Sequence, residues 1–226
     1  MRRRGFLAAT SVLAATAALP VRAAEGDAEI LVEKARISLL EMRNNKDVLP
    51  TVSLYVQNAY GVLVVPNQIK LGFILGGSHG RGLLLTRDTT TGAWSEPAVY
   101  DLYGGSVGLQ IGGQSSDVVY TIMNKGALDK LISSTSFKMG ADASAALGPA
   151  GAGIGAGTTP NFGEDIYLFA INAGLFGGLS IDGTVTVPLP AWNKALYGRD
   201  VTVQEIMQGT VVNPISEPLK QVLNQF

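Results

Sequence analysis

Glycine sits within the apolar runs of this chain as well as between them, and that placement constrains the fold more than any other feature. Across residues 61–97, GVLVVPNQIKLGFILGGSHGRGLLLTRDTTTGAWSEP, short apolar runs at 62–65, 71–75 and 83–86 are separated by a glycine cluster, and Thr91-Gly92 marks a turn before Trp94. Further on, Val107, Leu109 and Ile111 alternate with Ser106, Gly108, Gln110 and Gly112, so a strand there has one apolar and one nearly bare face. Glycine weakens a strand unless curvature, a bulge or the close approach of another group requires it. The pattern therefore predicts a strongly bent or partly closed sheet whose bare faces let something else come near. Asp182-Gly183, between LSI and TVTV, is a hairpin turn signal because both residues tolerate positive φ, which makes the sheet at least partly antiparallel.

Helices flank this β-rich region. Between Asp27 and Asp47, Ala28, Leu31, Val32, Ala35, Leu39 and Met42 recur at helical spacing and form one apolar face. Pro50 fits the first turn of a second helix running to about Ala59 and ended by Gly61. A strand is expected at 118–123, followed by Asn124 as the cap of a short helix carrying Ala127, Leu128, Leu131 and Ile132. Residues 203–207 and 215–226 also read as helical, with Pro218 in the first turn of the latter. The fold class is α+β: N-terminal helices packed on a curved, glycine-rich, mainly antiparallel sheet.

Residues 1–23 read as a signal peptide: Arg2, Arg3 and Arg4 precede an apolar stretch at 6–19, and Val21-Arg22-Ala23 offers a cleavage point. Arg3-Arg4-Gly5-Phe6-Leu7 looks like a twin-arginine export motif, though Arg2 stands where Ser or Thr is usual, and an ordinary secretory signal is the alternative. Either route delivers residues 24–226 out of the cytoplasm, to the periplasm or beyond, as a single domain. The chain has no cysteine, which excludes disulfides, thiolate metal sites and a lipidated N-terminal Cys. Of its 17 Lys and Arg residues, four lie in the leader, leaving 13 against 18 acids and a charge of −5. Nucleic acid is a poor partner for such a surface.

Sequences with the shape of catalytic motifs fail on context. Gly76-Gly77-Ser78-His79-Gly80 and Gly104-Gly105-Ser106-Val107-Gly108 match the GxSxG elbow, but strand-like sequence rather than a helix follows each serine. The single histidine, His79, reads as an exposed loop residue. A hydroxyl, imidazole and carboxylate converging in one cleft would overturn the non-catalytic reading. Gly151-Ala152-Gly153-Ile154-Gly155-Ala156 fits a loose dinucleotide fingerprint, but Thr158, Thr159 and Pro160 interrupt any following helix. One histidine and scattered acids supply no metal-ligand spacing, so neither metal nor cofactor is expected, and the chain does not read as an enzyme.

Taken in order, the 61–97 block, Gly108, Gln110 and Gly112, then Asp117, the 138–151 segment KMGADASAALGPAG and the 174–183 segment GLFGGLSIDG resemble the successive signatures of the SYLF domain, a lipid-binding module. The likeness covers nearly the whole mature chain. It implies a non-enzymatic protein that docks on membrane phospholipid through apolar and small-residue surface, with a few bases meeting anionic headgroups. Eukaryotic members are understood to bind phosphoinositides through a basic amphipathic segment beside the domain; the actin binding attributed to some of them is not carried over to an exported chain. The helix at 27–47 departs from that pattern, since Lys34, Arg36, Arg43 and Lys46 are outweighed by Asp27, Glu29, Glu33, Glu41 and Asp47. Its distinguishing feature is geometric: Ile30 and Ile37, seven residues apart, fall opposite the main apolar stripe, with Lys34 near them. Ile30, Lys34 and Ile37, together with Lys70 and Arg81 around the glycine cluster, are the candidate lipid-binding residues. The alternative is an envelope structural module that receives a partner chain on its glycine-rich sheet.

Overall fold

The apolar stripe of the first helix is buried as the spacing requires. In the computed structural model, which describes residues 25–72, 75–107, 112–149, 162–171 and 183–226, helix α1 (Glu25–Asn44) buries Ala28, Leu31, Val32, Ala35, Leu39 and Met42. Helix α2 (Leu49–Asn58) follows, with proline in its first turn. Both lie on one face of a sheet that has eight strands among the described residues and curls into a half-barrel.

The sheet is built from β1 (Gly61–Gly72), β2 (Leu75–Thr86), β3 (Ala98–Val107), β4 (Gly112–Ile122), β5 (Phe137–Lys138), β6 (Ala145–Leu147), β7 (Ile166–Ile171) and β8 (Val185–Pro188), in the spatial order β5-β8-β3-β2-β1-β4-β7-β6. Among the described strands every pairing is antiparallel except β6 with β7. Helix α3 (Lys125–Ser133) follows β4, capped by Asn124, whose side chain accepts from the amides of Gly126 and Ala127. Near the C-terminus come α4 (Pro190–Tyr197), α5 (Val203–Met207) and α6 (Glu217–Leu223).

The central strands are apolar without alternation because both faces are covered. Val62, Val64, Leu83, Leu85, Val99 and Val119 pack under α1, α2, α4 and α6. Leu63, Val65, Leu84, Tyr100, Val118 and Tyr120 face the second core, which α3, α5 and Phe137 complete. The Trp94-Ser95-Glu96-Pro97 segment between β2 and β3 has a structural duty here. Buried Glu96 accepts from Ser216 Oγ (2.6 Å) and Lys220 Nζ (2.8 Å), which ties the β2–β3 connection to the C-terminal helix.

Several expectations are corrected. Of the apolar run at 71–75, Leu71 and Gly72 end β1 and Leu75 starts β2; of residues 106–112, Ser106 and Val107 end β3 and Gly112 starts β4. His79 is on a strand rather than in a loop, because β2 continues through the glycine cluster paired to β1 on one side and β3 on the other. At several glycines the closely approaching group is the protein's own, one of the uses the pattern predicts, while the bare face expected over 106–112 is not among the described side chains. A Cβ on Gly80 would lie 2.5 Å from Val65, on Gly82 2.6 Å from the Val64 carbonyl oxygen, on Gly104 2.3 Å from Ser78 Oγ and on Gly148 2.1 Å from the Phe169 ring. These glycines serve close packing across the sheet. Gly183 has φ +82 and precedes β8, while Asp182, the leader, the 151–156 fingerprint and residues 108–111 lie outside the described residues.

Candidate functional site

An irregularity in β1 shapes the surface beside α1. The pairing of β1 shifts between Val64 and Ile69 on the β2 side and between Val65 and Gln68 on the β4 side. Pro66 there offers no amide hydrogen, and Asn67 adopts a left-handed φ of 52°, its N–H donating to Asp117 Oδ1 at 2.8 Å. The extra residue resets the alternation. Gln68 returns to the face of Val65, where its Oε1 accepts from the buried Tyr120 hydroxyl (3.2 Å), and Ile69 emerges on the α1 side, 47% exposed.

Two concavities then run along the outer flank of α1. The first, about 280 Å³, brings Ile30, Lys34, Ile69, His79, Arg81 and Trp192 together. The second, about 440 Å³, is lined by Lys34, Ile37, Glu41, Ser115, Ser116 and Asp117. Lys34 belongs to both and makes no ion pair among the described residues. Ile30 and Ile37 are 53% and 43% exposed, so the residues opposite the buried stripe, with Ile69, make an apolar margin around a lysine. Three of the five candidates, Ile30, Lys34 and Arg81, line one groove, and Ile37 with Lys34 lines the other. Lys70 lines neither; it follows Ile69 on β1 and by alternation occupies the other face of the sheet.

Arg81 is committed elsewhere. It stands directly across the β2–β3 pairing from Asp101, donating through Nε to Oδ1 (2.7 Å) and through Nη2 to Oδ2 (3.0 Å). Its guanidinium also lies 3.9 Å from the Trp192 ring centroid, a cation–π arrangement. Asp101 is buried and also accepts from Tyr103 Oη at 2.9 Å. His79, across from Tyr103, places Nε2 3.6 Å from Asp101 Oδ1 and tilts its ring against the phenol at 5.0 Å.

A hydroxyl, an imidazole and a carboxylate thus do meet here, but not in a nucleophilic order. The phenol donates its hydrogen bond to the carboxylate rather than to the imidazole, and burial together with that bond raises the Tyr103 pKa, which opposes phenolate formation. Arg81 already neutralises Asp101. Ser78 occupies the position before His79 on β2, so the two side chains project to opposite faces. Among the described residues no group of three or more His, Cys, Asp or Glu could hold a metal ion, and no helix is long and apolar enough to cross a membrane.

Sequence reasoning missed Ile69, Asp101, Asp117 and Trp192 as neighbours of these residues. Asp101 and Trp192 approach Arg81 only through the β2–β3 pairing and the placement of α4. The Pro66-Asn67 pair was the legible signal for Ile69.

Comparison with known proteins places this architecture. The family model described as Ysc84, Las17-binding protein actin regulator, matches residues 103–226. An SH3 domain-containing protein of Schizosaccharomyces pombe is 34% identical over 182 residues, 79% of this chain and 41% of the relative. An SH3 domain-containing YSC84-like protein of Rattus norvegicus is 27% identical over 201 residues, covering 88% of this chain and 57% of the relative. Protein YSC84 of Saccharomyces cerevisiae is 26% identical over 172 residues, covering 75% and 36%. The chain spans about half the length, or less, of these relatives. None of their names states a reaction.

Proposed function

We propose that this chain, which belongs to the Ysc84 family of SYLF-domain proteins, is a non-enzymatic module that docks peripherally on a phospholipid membrane through the outer flank of α1. The observation that carries this reading is the grouping of half-exposed Ile30, Ile37 and Ile69 around the unpaired Lys34. An apolar margin enclosing a cation suits the boundary between headgroups and acyl chains. Lys34 is the base at its centre, while Arg81 contributes to the groove wall as half of an ion pair with Asp101. Export of the mature domain belongs to the same reading and is supported by the arginines and apolar stretch of residues 2–19.

Each of the three isoleucines has roughly half its surface still to bury, which is worth about 1 kcal/mol per side chain. Replacing all three by serine is expected to weaken vesicle partition by about 100-fold, read by flotation of the folded protein. Undiminished flotation refutes the reading.

A protein partner on the same surface is the second reading, favoured by the matched family's description as Las17-binding. Absence of flotation with any lipid composition selects it. The glycine-lined reception of a partner strand has less room, because Gly80, Gly82, Gly104 and Gly148 are covered by the protein's own atoms.

A further inference from the structure

The larger concavity is not a site for a purely anionic ligand. Lys34 and Glu41 lie seven residues apart on α1, two turns along nearly the same stripe, with Ile37 between them. Across the cleft, Asp117 is held against the β1 irregularity by the Asn67 amide, which engages one carboxylate oxygen only. Its other oxygen, the Glu41 carboxylate and the Lys34 ammonium make no hydrogen bond or ion pair among the described residues. Ser116 is buried, lines the same cleft and has a hydroxyl with no hydrogen bond among them.

One cation and two carboxylates therefore face a polar space of about 440 Å³ with an apolar side chain, Ile37, in its wall. A headgroup carrying several phosphates would place its charge against Glu41 and Asp117, at a cost in like-charge repulsion. A ligand with one phosphate and one ammonium matches both signs.

We propose that this cleft binds the zwitterionic headgroup of phosphatidylethanolamine. The phosphate meets the Lys34 ammonium and the Ser116 hydroxyl. The primary ammonium donates to Asp117 and Glu41, and the glycerol end leaves past Ile37 toward Ile30 and Ile69. Three N–H donors distinguish this headgroup from phosphatidylcholine, whose trimethylammonium has none to give the carboxylates. The assignment rests on the membrane-docking reading and specifies its headgroup.

The test is vesicle flotation of the mature chain with three compositions: phosphatidylcholine alone, phosphatidylcholine with phosphatidylethanolamine, and phosphatidylcholine with phosphatidylglycerol. Charge-assisted hydrogen bonds of this kind predict partition about tenfold stronger on the ethanolamine vesicles than on choline vesicles. Glu41→Gln and the double variant Glu41→Gln/Asp117→Asn are expected to abolish the ethanolamine preference, so that each variant partitions equally onto ethanolamine and choline vesicles. Glu41 is exposed on the helix surface, so its variant reports on the cleft even where the change at Asp117 disturbs the Asn67 turn.

Equal binding to ethanolamine and choline vesicles, a preference for phosphatidylglycerol, or an ethanolamine preference that survives in both variants overturns the headgroup assignment and leaves docking standing. No flotation with any vesicle overturns both. Dissolved phosphoethanolamine, titrated by NMR against the same chain, separates the sources: millimolar or weaker binding fits a lipid whose acyl end completes the contact, whereas binding as tight as vesicle partition makes a free phosphoamine the ligand and overturns the lipid assignment.

Discussion

Removing the Asp101 carboxylate tests whether Arg81 holds the fold together or holds a ligand. Asp101→Asn keeps the side-chain shape but leaves the Arg81 guanidinium beside a neutral amide. The Arg81 side chain is 20% exposed and that of Asp101 4%, so the pair is largely withdrawn from water. Breaking a buried pair from one side costs about 3–5 kcal/mol because the surviving charge is stranded. The Trp192 face and the residual solvent contact of Arg81 put the expected loss at the lower end, near 3 kcal/mol. For a domain of this size that lowers the melting temperature by roughly 6–12 °C. Arg81→Met strands the other charge and is expected to cost about as much.

The assay is urea unfolding followed by tryptophan fluorescence on the wild type, both single variants and the Arg81→Met/Asp101→Asn double variant. The double variant should be more stable than additivity allows by about 2 kcal/mol. Losses below about 1 kcal/mol for Asp101→Asn, or single effects that add to within about 0.5 kcal/mol, refute the structural role. Flotation supplies the functional half. A base that met the headgroups would take about fivefold in vesicle partition with it, so Arg81→Met should leave partition of the folded protein nearly unchanged.

Three further outcomes follow from local features. Thr186 is fully buried and its Oγ1 has no hydrogen-bond partner among the described residues, so Thr186→Val should stabilise the protein by about 1 kcal/mol and raise the melting temperature by roughly 2–4 °C in calorimetry. Gly82→Ala would press a methyl against the Val64 carbonyl and Val65 and should cost at least about 2 kcal/mol, while Gly105→Ala, with open space at its Cβ, should be neutral or slightly stabilising in the same urea titration. Burial raises the pKa of Tyr100 and Tyr197 and pushes that of Tyr120 up to about 12. Each neutral phenol contributes stability that is fully present below the unfolded value of 10 and is lost as pH rises through the folded value. Melting temperature should therefore fall steeply between about pH 10 and 12, with tyrosinate absorbance appearing together with unfolding rather than before it.

What was legible in the residues was whatever local rules determine. The stripe from Ala28 to Met42 identifies the buried face of α1 and leaves Ile30 and Ile37 as the unexplained pair, which stay exposed. Asn124 announces a helix cap, and the structure has that cap. Strand limits were harder, because in a sheet buried on both faces the apolar runs lose the alternation that separates one strand from the next. Helix α4 went unread although Pro190 opens it and Gly198, at φ +69, follows its end. Its apolar residues Trp192 and Leu196 span little more than one turn, too short a run for periodicity to register. The partners of the candidate bases were invisible for a different reason. Arg81 meets Asp101 across 20 residues, and Asn67 meets Asp117 across 50, so register alone unites them.

The glycines change meaning under this comparison. Read along the chain, they suggest a surface left bare for something to approach. At Gly80, Gly82, Gly104 and Gly148 the approaching groups are the protein's own Val65, the Val64 carbonyl, Ser78 and Phe169, and packing of that closeness lets a long sheet curl while covering both faces. The concavities beside α1 arise where β1 departs from regular pairing. Without the shift at Pro66-Asn67, Ile69 would turn to the opposite face, and Asp117 would have no Asn67 amide to hold one oxygen and leave the other toward the cleft. Deleting Asn67 should therefore reverse the alternation of the rest of β1, burying Ile69's position and abolishing vesicle partition in whatever protein still folds. An Asn67→Gly substitution keeps the left-handed backbone and should preserve both. If partition instead survives the deletion intact, the docking surface lies elsewhere on the molecule.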